Sequence, residues 1–157
     1  MIDEIDRRHL VRAVALAGTA LASGHRPFGA LLVDGDGRVR VEDHNRAGGG
    51  DASRHAEIAL ARWAARHLDA QERAEATVYT STEHCPMCAA AHGWVGLGRI
   101  VYASSVSQVT RWLQELGAPP WPVRPRPVPE VVPGALVDGP VDDLAEQVRA
   151  LHAEYHR

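Results

Sequence analysis

Two short runs of the chain carry the residue types of a metal site, His55-Ala-Glu57 and Cys85-Pro-Met-Cys88. Zinc favours imidazole and thiolate, and a catalytic zinc takes three protein ligands and keeps a fourth position open. His55, Cys85 and Cys88 supply that set, for one zinc per chain with water in the open position. Glu57 stands two residues after the histidine, close enough to face that water without coordinating the ion. A carboxylate so placed takes a proton from zinc-bound water, whose pKa falls to about 7, and hands it to a substrate nitrogen. Two other readings use the same Cys-x-x-Cys. A closed structural zinc leaves Glu57 without work, and a thioredoxin-like redox pair does not come with a His-Ala-Glu partner.

Such residues must be held by a scaffold, and the hydrophobic pattern supplies one. Leu10, Val14, Ala17 and Leu21 recur at helical spacing between Asp3 and Ser23, with Gly24 at the C-terminal cap. Phe28 to Val33, the turn Asp34-Gly-Asp-Gly, and Arg38 to Glu42 predict a hairpin, its first strand buried on both faces and its second alternating. After the loop Ala47-Gly-Gly-Gly-Asp, Ser53 is expected to cap a helix running to Leu68, with Ile58, Leu60, Ala61, Ala64 and Ala65 among its apolar positions. A strand from Ala76 to Ser81 leads through Thr82-Glu-His into the cysteine pair, and an Ala-rich helix follows to Trp94, with Pro86 in its first turn. Both ligand sets therefore stand at helix N-termini, where free N–H groups and the positive dipole favour thiolate. A strand at Arg99 to Ala103 and a helix from Ser105 to Leu116 come next. Seven of the ten prolines then gather between Ala118 and Pro133, an extended surface connection over 118–133. A last helix over 141–156 carries Leu144, Val148 and Leu151 on one face. Strands interleaved with helices predict one α/β domain over 1–157, a three-layer α/β/α arrangement around a central mixed sheet.

In this order and on these elements, His-Ala-Glu followed by Cys-Pro-Met-Cys resembles the zinc-dependent cytidine deaminase superfamily, whose signature is H-x-E and P-C-x-x-C. The resemblance extends to the Pro27-Phe-Gly-Ala opening of the first strand, to Asn45 at the end of the second, and to Arg99-Ile-Val-Tyr-Ala. It implies a cytidine-deaminase-like fold and hydrolytic deamination of an amidine-like ring carbon with loss of ammonia. One position departs from the family: His84 precedes the first cysteine where proline is usual. Either the loop tolerates the exchange, or His84 lies at the pocket rim and meets a group of the substrate.

The motif details resemble guanine deaminases and tRNA adenosine deaminases more than classical cytidine deaminases. The resemblance implies that Asn45 holds the substrate by its amide and that the Ala56 N–H bonds the ring's carbonyl side. It implies further that Phe28 packs against the base and that Trp94, six residues after Cys88, lines the pocket; core packing is the competing reading for both aromatics. A strand-like Glu130-Val-Val and a final helix ending at Tyr155 resemble the swapped tail of guanine deaminases, whose terminal aromatic closes a neighbour's pocket. Guanine deaminases also place an acidic residue after the fourth strand, and Glu115 stands in that region out of register. A guanine-type purine is thus the first expectation. A tRNA adenosine, or a cytosine, triazine or pterin amine, stays open. A homodimer is implied by the resemblance.

Composition narrows the partners. The formal net charge is -3 over 157 residues, and all 17 basic residues are Arg. Over 141–156 acidic residues outnumber basic ones, so neither the chain nor its last helix is a footprint for a phosphate backbone. Nucleic acid is not an expected partner; a small heterocycle is. Two cysteines are too few for a disulfide framework. No apolar run reaches the length of a membrane span, and the acidic N-terminus lacks the basic flank of an export signal, so a cytoplasmic protein with reduced thiols is expected. His92 is read as packed rather than as a fourth ligand. His9, His25, His67, His152 and His156 are read as solvated, and Trp112 and Trp121 as packing residues.

Overall fold

In the computed structural model, which describes residues 1–157, a five-stranded mixed sheet lies between two helical layers. The elements run α1 (Glu4–Ala22), β1 (Gly29–Val33), β2 (Val39–His44), α2 (Ala56–His67), α3 (Ala70–Glu75), β3 (Thr77–Thr82), α4 (Pro86–Val95), β4 (Ile100–Ser104), α5 (Val106–Glu115), α6 (Val128–Val131), β5 (Val137–Asp138) and α7 (Asp142–Tyr155). The sheet order is β2-β1-β3-β4-β5, with β1 antiparallel to β2 and β3, and β3, β4 and β5 parallel. No helix is long and apolar enough to cross a membrane.

Local chemistry explains most of the boundaries. Asp3 and Asp6 form a reciprocal capping box at the start of α1, and Ser105 and Gln108 do the same for α5. In the hairpin turn the Asp34 carboxylate accepts from the N–H groups of Asp36 and Arg38, and Gly37 takes the positive φ that closes it. β1 is buried along its whole length because α1 covers one face and α2 the other.

Those two faces hold separate cores. Leu10, Val14 and Leu16 of α1 meet Leu31, Tyr79 and Val101 of the sheet, closed by Val109 and Trp112 of α5 and by Leu144 and Val148 of α7. On the opposite face Ala56, Leu60 and Ala64 of α2 cover Ala30, Leu32 and Val78. Helix α4 packs beside α2 and brings Ala89 against Ile100 and Val128.

Four features differ from the sequence expectation. Helix α2 begins at Ala56 with His55 as its N-cap; Ser53 turns instead to Asp51, and Ala65 faces solvent. Strand β2 is an exposed edge with no clean alternation, only Val41 reaching the core. Glu130-Val-Val is not a strand: Val128–Val131 is a helical turn, and β5 lies further on. Trp121, by contrast, packs against the main core and Trp112 lies within it, both as expected.

Candidate active site

Strand β3 delivers the cysteine loop, and packing of α2 against α4 brings the histidine to it. Cys85 is the N-cap of α4 and His55 the N-cap of α2, so both helix N-termini point at one spot. His55 Nδ1 stands 3.5 Å from Cys85 Sγ and 3.6 Å from Cys88 Sγ, and the three donor atoms lie within 4.8 Å of one another. A tetrahedral zinc with Zn–N of about 2.0–2.1 Å and Zn–S of about 2.3 Å separates N and S by about 3.6 Å. The donor set therefore fits zinc in both chemistry and spacing. The neighbouring Cys88 sulfur and the His55 imidazole draw the Cys85 thiol downward despite its burial.

Glu57, in the first turn of α2, is 6% exposed. Its Oε1 accepts from Thr80 Oγ1 at 2.9 Å. Burial pushes its carboxyl above the usual range, against the pull of the His55 imidazole. A carboxyl whose protonated form is favoured by burial and whose anion is favoured by a nearby imidazole is suited to taking up and returning a proton.

The expected substrate contacts fare unevenly. Asn45 is buried, and its amide already binds the loop around it: Nδ2 donates to the Arg26 carbonyl at 3.2 Å, and Oδ1 accepts from Ala47 N at 3.2 Å. One N–H and one lone pair are left for a ligand. Ala56 opens α2, where the N–H has no partner within the helix. Phe28 is partly buried, packed on the main core and edge-on to His152. Trp94 is neither core nor enclosed; at the end of α4 it is 91% exposed.

His84 is not at a rim. It is 1% exposed and sits edge-on to His92, because the residue before Cys85 turns inward beneath α4. His92 is packed as expected, Nε2 lying 2.7 Å from the Gly98 carbonyl. Tyr155 meets His156, and α7 as a whole docks on α1, β4 and α5. Glu115 is spent on surface ion pairs with Arg149 and Arg111.

With this geometry established, the chain matches the profile of the cytidine and deoxycytidylate deaminase zinc-binding region over residues 3–104. The chain belongs to that family. It is 32% identical over 122 residues to a probable cytosine deaminase of Schizosaccharomyces pombe, covering 76% of this chain and 72% of that protein. A tRNA-specific adenosine deaminase of Agrobacterium fabrum is 36% identical over 101 residues, 63% of this chain and 66% of its own length. The solved structure of a guanine deaminase from Nitrosomonas europaea superposes with a TM-score of 0.74 at 21% identity, covering 99% of this chain and 86% of that one. At that identity the likeness concerns the fold. The protein is therefore a zinc-dependent deaminase, and its relatives act on three different substrates.

Three residues of this deaminase escaped sequence reasoning. Thr80, fully buried in β3, touches Glu57. Glu83 accepts from Val106 N at 3.0 Å and Val128 N at 2.9 Å, tying the starts of α5 and α6 to the loop that carries the ligands. His152, read as solvated, is 1% exposed. Its spacing from Leu144 and Val148, successive steps of four on α7, was the available signal.

Proposed function

We propose that this chain, one domain over 1–157, is a hydrolytic deaminase of a small free heterocycle, a guanine-type purine first. His55, Cys85 and Cys88 hold the zinc and Glu57 moves the proton. The observation that carries the reading is Glu57: a buried carboxyl beside a histidine-dithiol triad whose N···S separations are 3.5 and 3.6 Å. Zinc bound there supplies a Lewis acid that lowers the pKa of water to about 7. Glu57 accepts the proton that water gives up on adding to the ring carbon. It returns that proton to the amino nitrogen as the C–N bond breaks and ammonia leaves. Asn45, with its remaining N–H and lone pair, and the Ala56 N–H orient the ring.

Charge supports a free heterocycle over a tRNA. The net charge is -3, and α7 carries Asp142, Asp143, Glu146 and Glu154 against Arg149, itself paired with Glu115. A second reading, a cytosine-type pyrimidine, is favoured by one observation: the surface pairing of Glu115 removes the nearest acidic candidate for reading a guanine edge. A homodimer belongs to the proposal, supported by the uncovered indole of Trp94.

The test is ammonia release by the zinc-loaded protein from guanine, guanosine, adenine, cytosine, cytidine, a triazine, a pterin and an adenosine-containing anticodon stem-loop. Turnover of a free base is expected, with Glu57→Ala slower by about 10²–10⁴-fold. Turnover of the stem-loop alone, or an active Glu57→Ala variant, overturns it.

A further inference from the structure

Strand β3 puts one polar side chain where its neighbours are apolar. Thr80 pairs with Ala30 in the sheet and faces α2, on the side lined by Ala30, Ala56, Leu60 and Val78, and it is completely buried. A hydroxyl in such surroundings costs free energy unless it is bonded. Thr80 Oγ1 has three acceptors in reach: Glu57 Oε1 at 2.9 Å, the Thr82 carbonyl at 2.8 Å and the Gly29 carbonyl at 3.3 Å. It has one hydrogen to give and lone pairs to accept with.

We propose that Thr80 is a positioning residue of the deaminase: its hydroxyl holds one oxygen of Glu57 and leaves the other free to carry the transferred proton. This rests on Glu57 being the proton carrier. When Glu57 is a carboxylate, the hydroxyl donates to it in a charge-assisted bond. When Glu57 has taken the proton on its free oxygen, the hydroxyl still donates to Oε1, now the carbonyl oxygen of the acid, in a neutral bond. The carboxyl is thereby kept in one place through both halves of the transfer. The strand backbone fixes the hydroxyl, since a β-branched side chain in a sheet has little χ1 freedom.

The test compares Thr80→Val, which keeps shape and removes the hydroxyl, with Thr80→Ser, which keeps the hydroxyl; Thr80→Cys replaces the valine variant if that one does not fold. Thr80→Val is expected to lower kcat for guanine, or for the panel compound turned over fastest, by about tenfold or more, because small misplacement of a catalytic group is costly. KM and zinc content stay within twofold, and Thr80→Ser recovers most of the rate. A substrate-free readout accompanies this: the carboxyl ¹³C resonance of Glu57, assigned by its loss in Glu57→Gln, moves in Thr80→Val and returns in Thr80→Ser. The proposal falls if kcat is unchanged, if the resonance does not move, or if serine does no better than valine. An active Glu57→Gln sinks the reading of Glu57 itself. An inactive Glu57→Gln beside a fully active Thr80→Val sinks only the role of Thr80.

Discussion

His152 stands in the last turns of α7 with its ring edge-on to Phe28, centroids 5.0 Å apart, and neither ring nitrogen has a hydrogen-bond partner. Burial above all, then the charges of His156 and Arg26, brings its pKa down to about 3. An unfolded histidine takes up its proton near pH 6.5. As pH falls below that value the unfolded chain binds a proton that the folded chain refuses until about pH 3. Stability that is complete above pH 6.5 is therefore lost on the way down, by at most about 1.4 kcal/mol per pH unit from this group. Urea unfolding at pH 7.5, 5.5 and 4.5 should show a decline that is shallower in His152→Leu. At pH 7.5 the variant should be no less stable than wild type, since it removes a buried polar group without partners. An unchanged slope would refute the assignment. Residue type misled sequence reading here, as it did at His84, because a histidine resembles a surface residue until its packing is seen. The metal ligands and Glu57 were legible because ligand chemistry restricts both residue type and spacing. The environment of Glu57 was not, since Thr80 meets it only through the sheet register.

At the scale of elements, α1 lies so close on β1 that Gly29 has no room for a side chain. A methyl group there would stand 2.5 Å from Leu16 Cβ, 2.6 Å from Ala17 N and 2.7 Å from Ala13 O, two of them backbone atoms that cannot swing away. Gly29→Ala should destabilise the fold by about 1–3 kcal/mol or more, read as a lower urea midpoint at unchanged slope. The neighbouring backbone of Phe28 and Gly29 bonds Asn45 N and Ser81 Oγ, so the displacement also reaches the substrate loop. A wild-type midpoint would mean that α1 shifts freely. Strongly apolar elements such as β1 and β4 were legible in the sequence because both faces are covered. Helix α3 was not: Ala70–Glu75 has no fully buried residue and leaves no apolar stripe, although the Asp69–Glu72 capping box was available as a signal. At Glu130-Val-Val the β-branched pair suggested a strand, but Pro127 ahead of the turn and Glu83 on the Val128 N–H start a helical turn instead.

For the whole molecule, the uncovered surface carries the expectation. The indole of Trp94 stands 91% exposed at the end of α4, and the proposed dimer places a second copy over it. Size-exclusion chromatography with light scattering should find twice the 17.0 kDa chain mass, and Trp94→Glu should shift the protein to monomer with its zinc retained. A wild-type monomer at micromolar concentration would remove the dimer from the proposal. Glu83 has a consequence on this scale too. Because one carboxylate clasps the start of α5 and the start of α6, the end of the proline-rich span that enters α6 is moored beside the ligand loop, while its other end leaves from the far end of α5. The largely exposed stretch over 122–126 can change in length or sequence while Val128 and the ligand loop stay in register. That stretch is an exchangeable part, open to remodelling by evolution or by an engineer, mounted on a fixture that holds still.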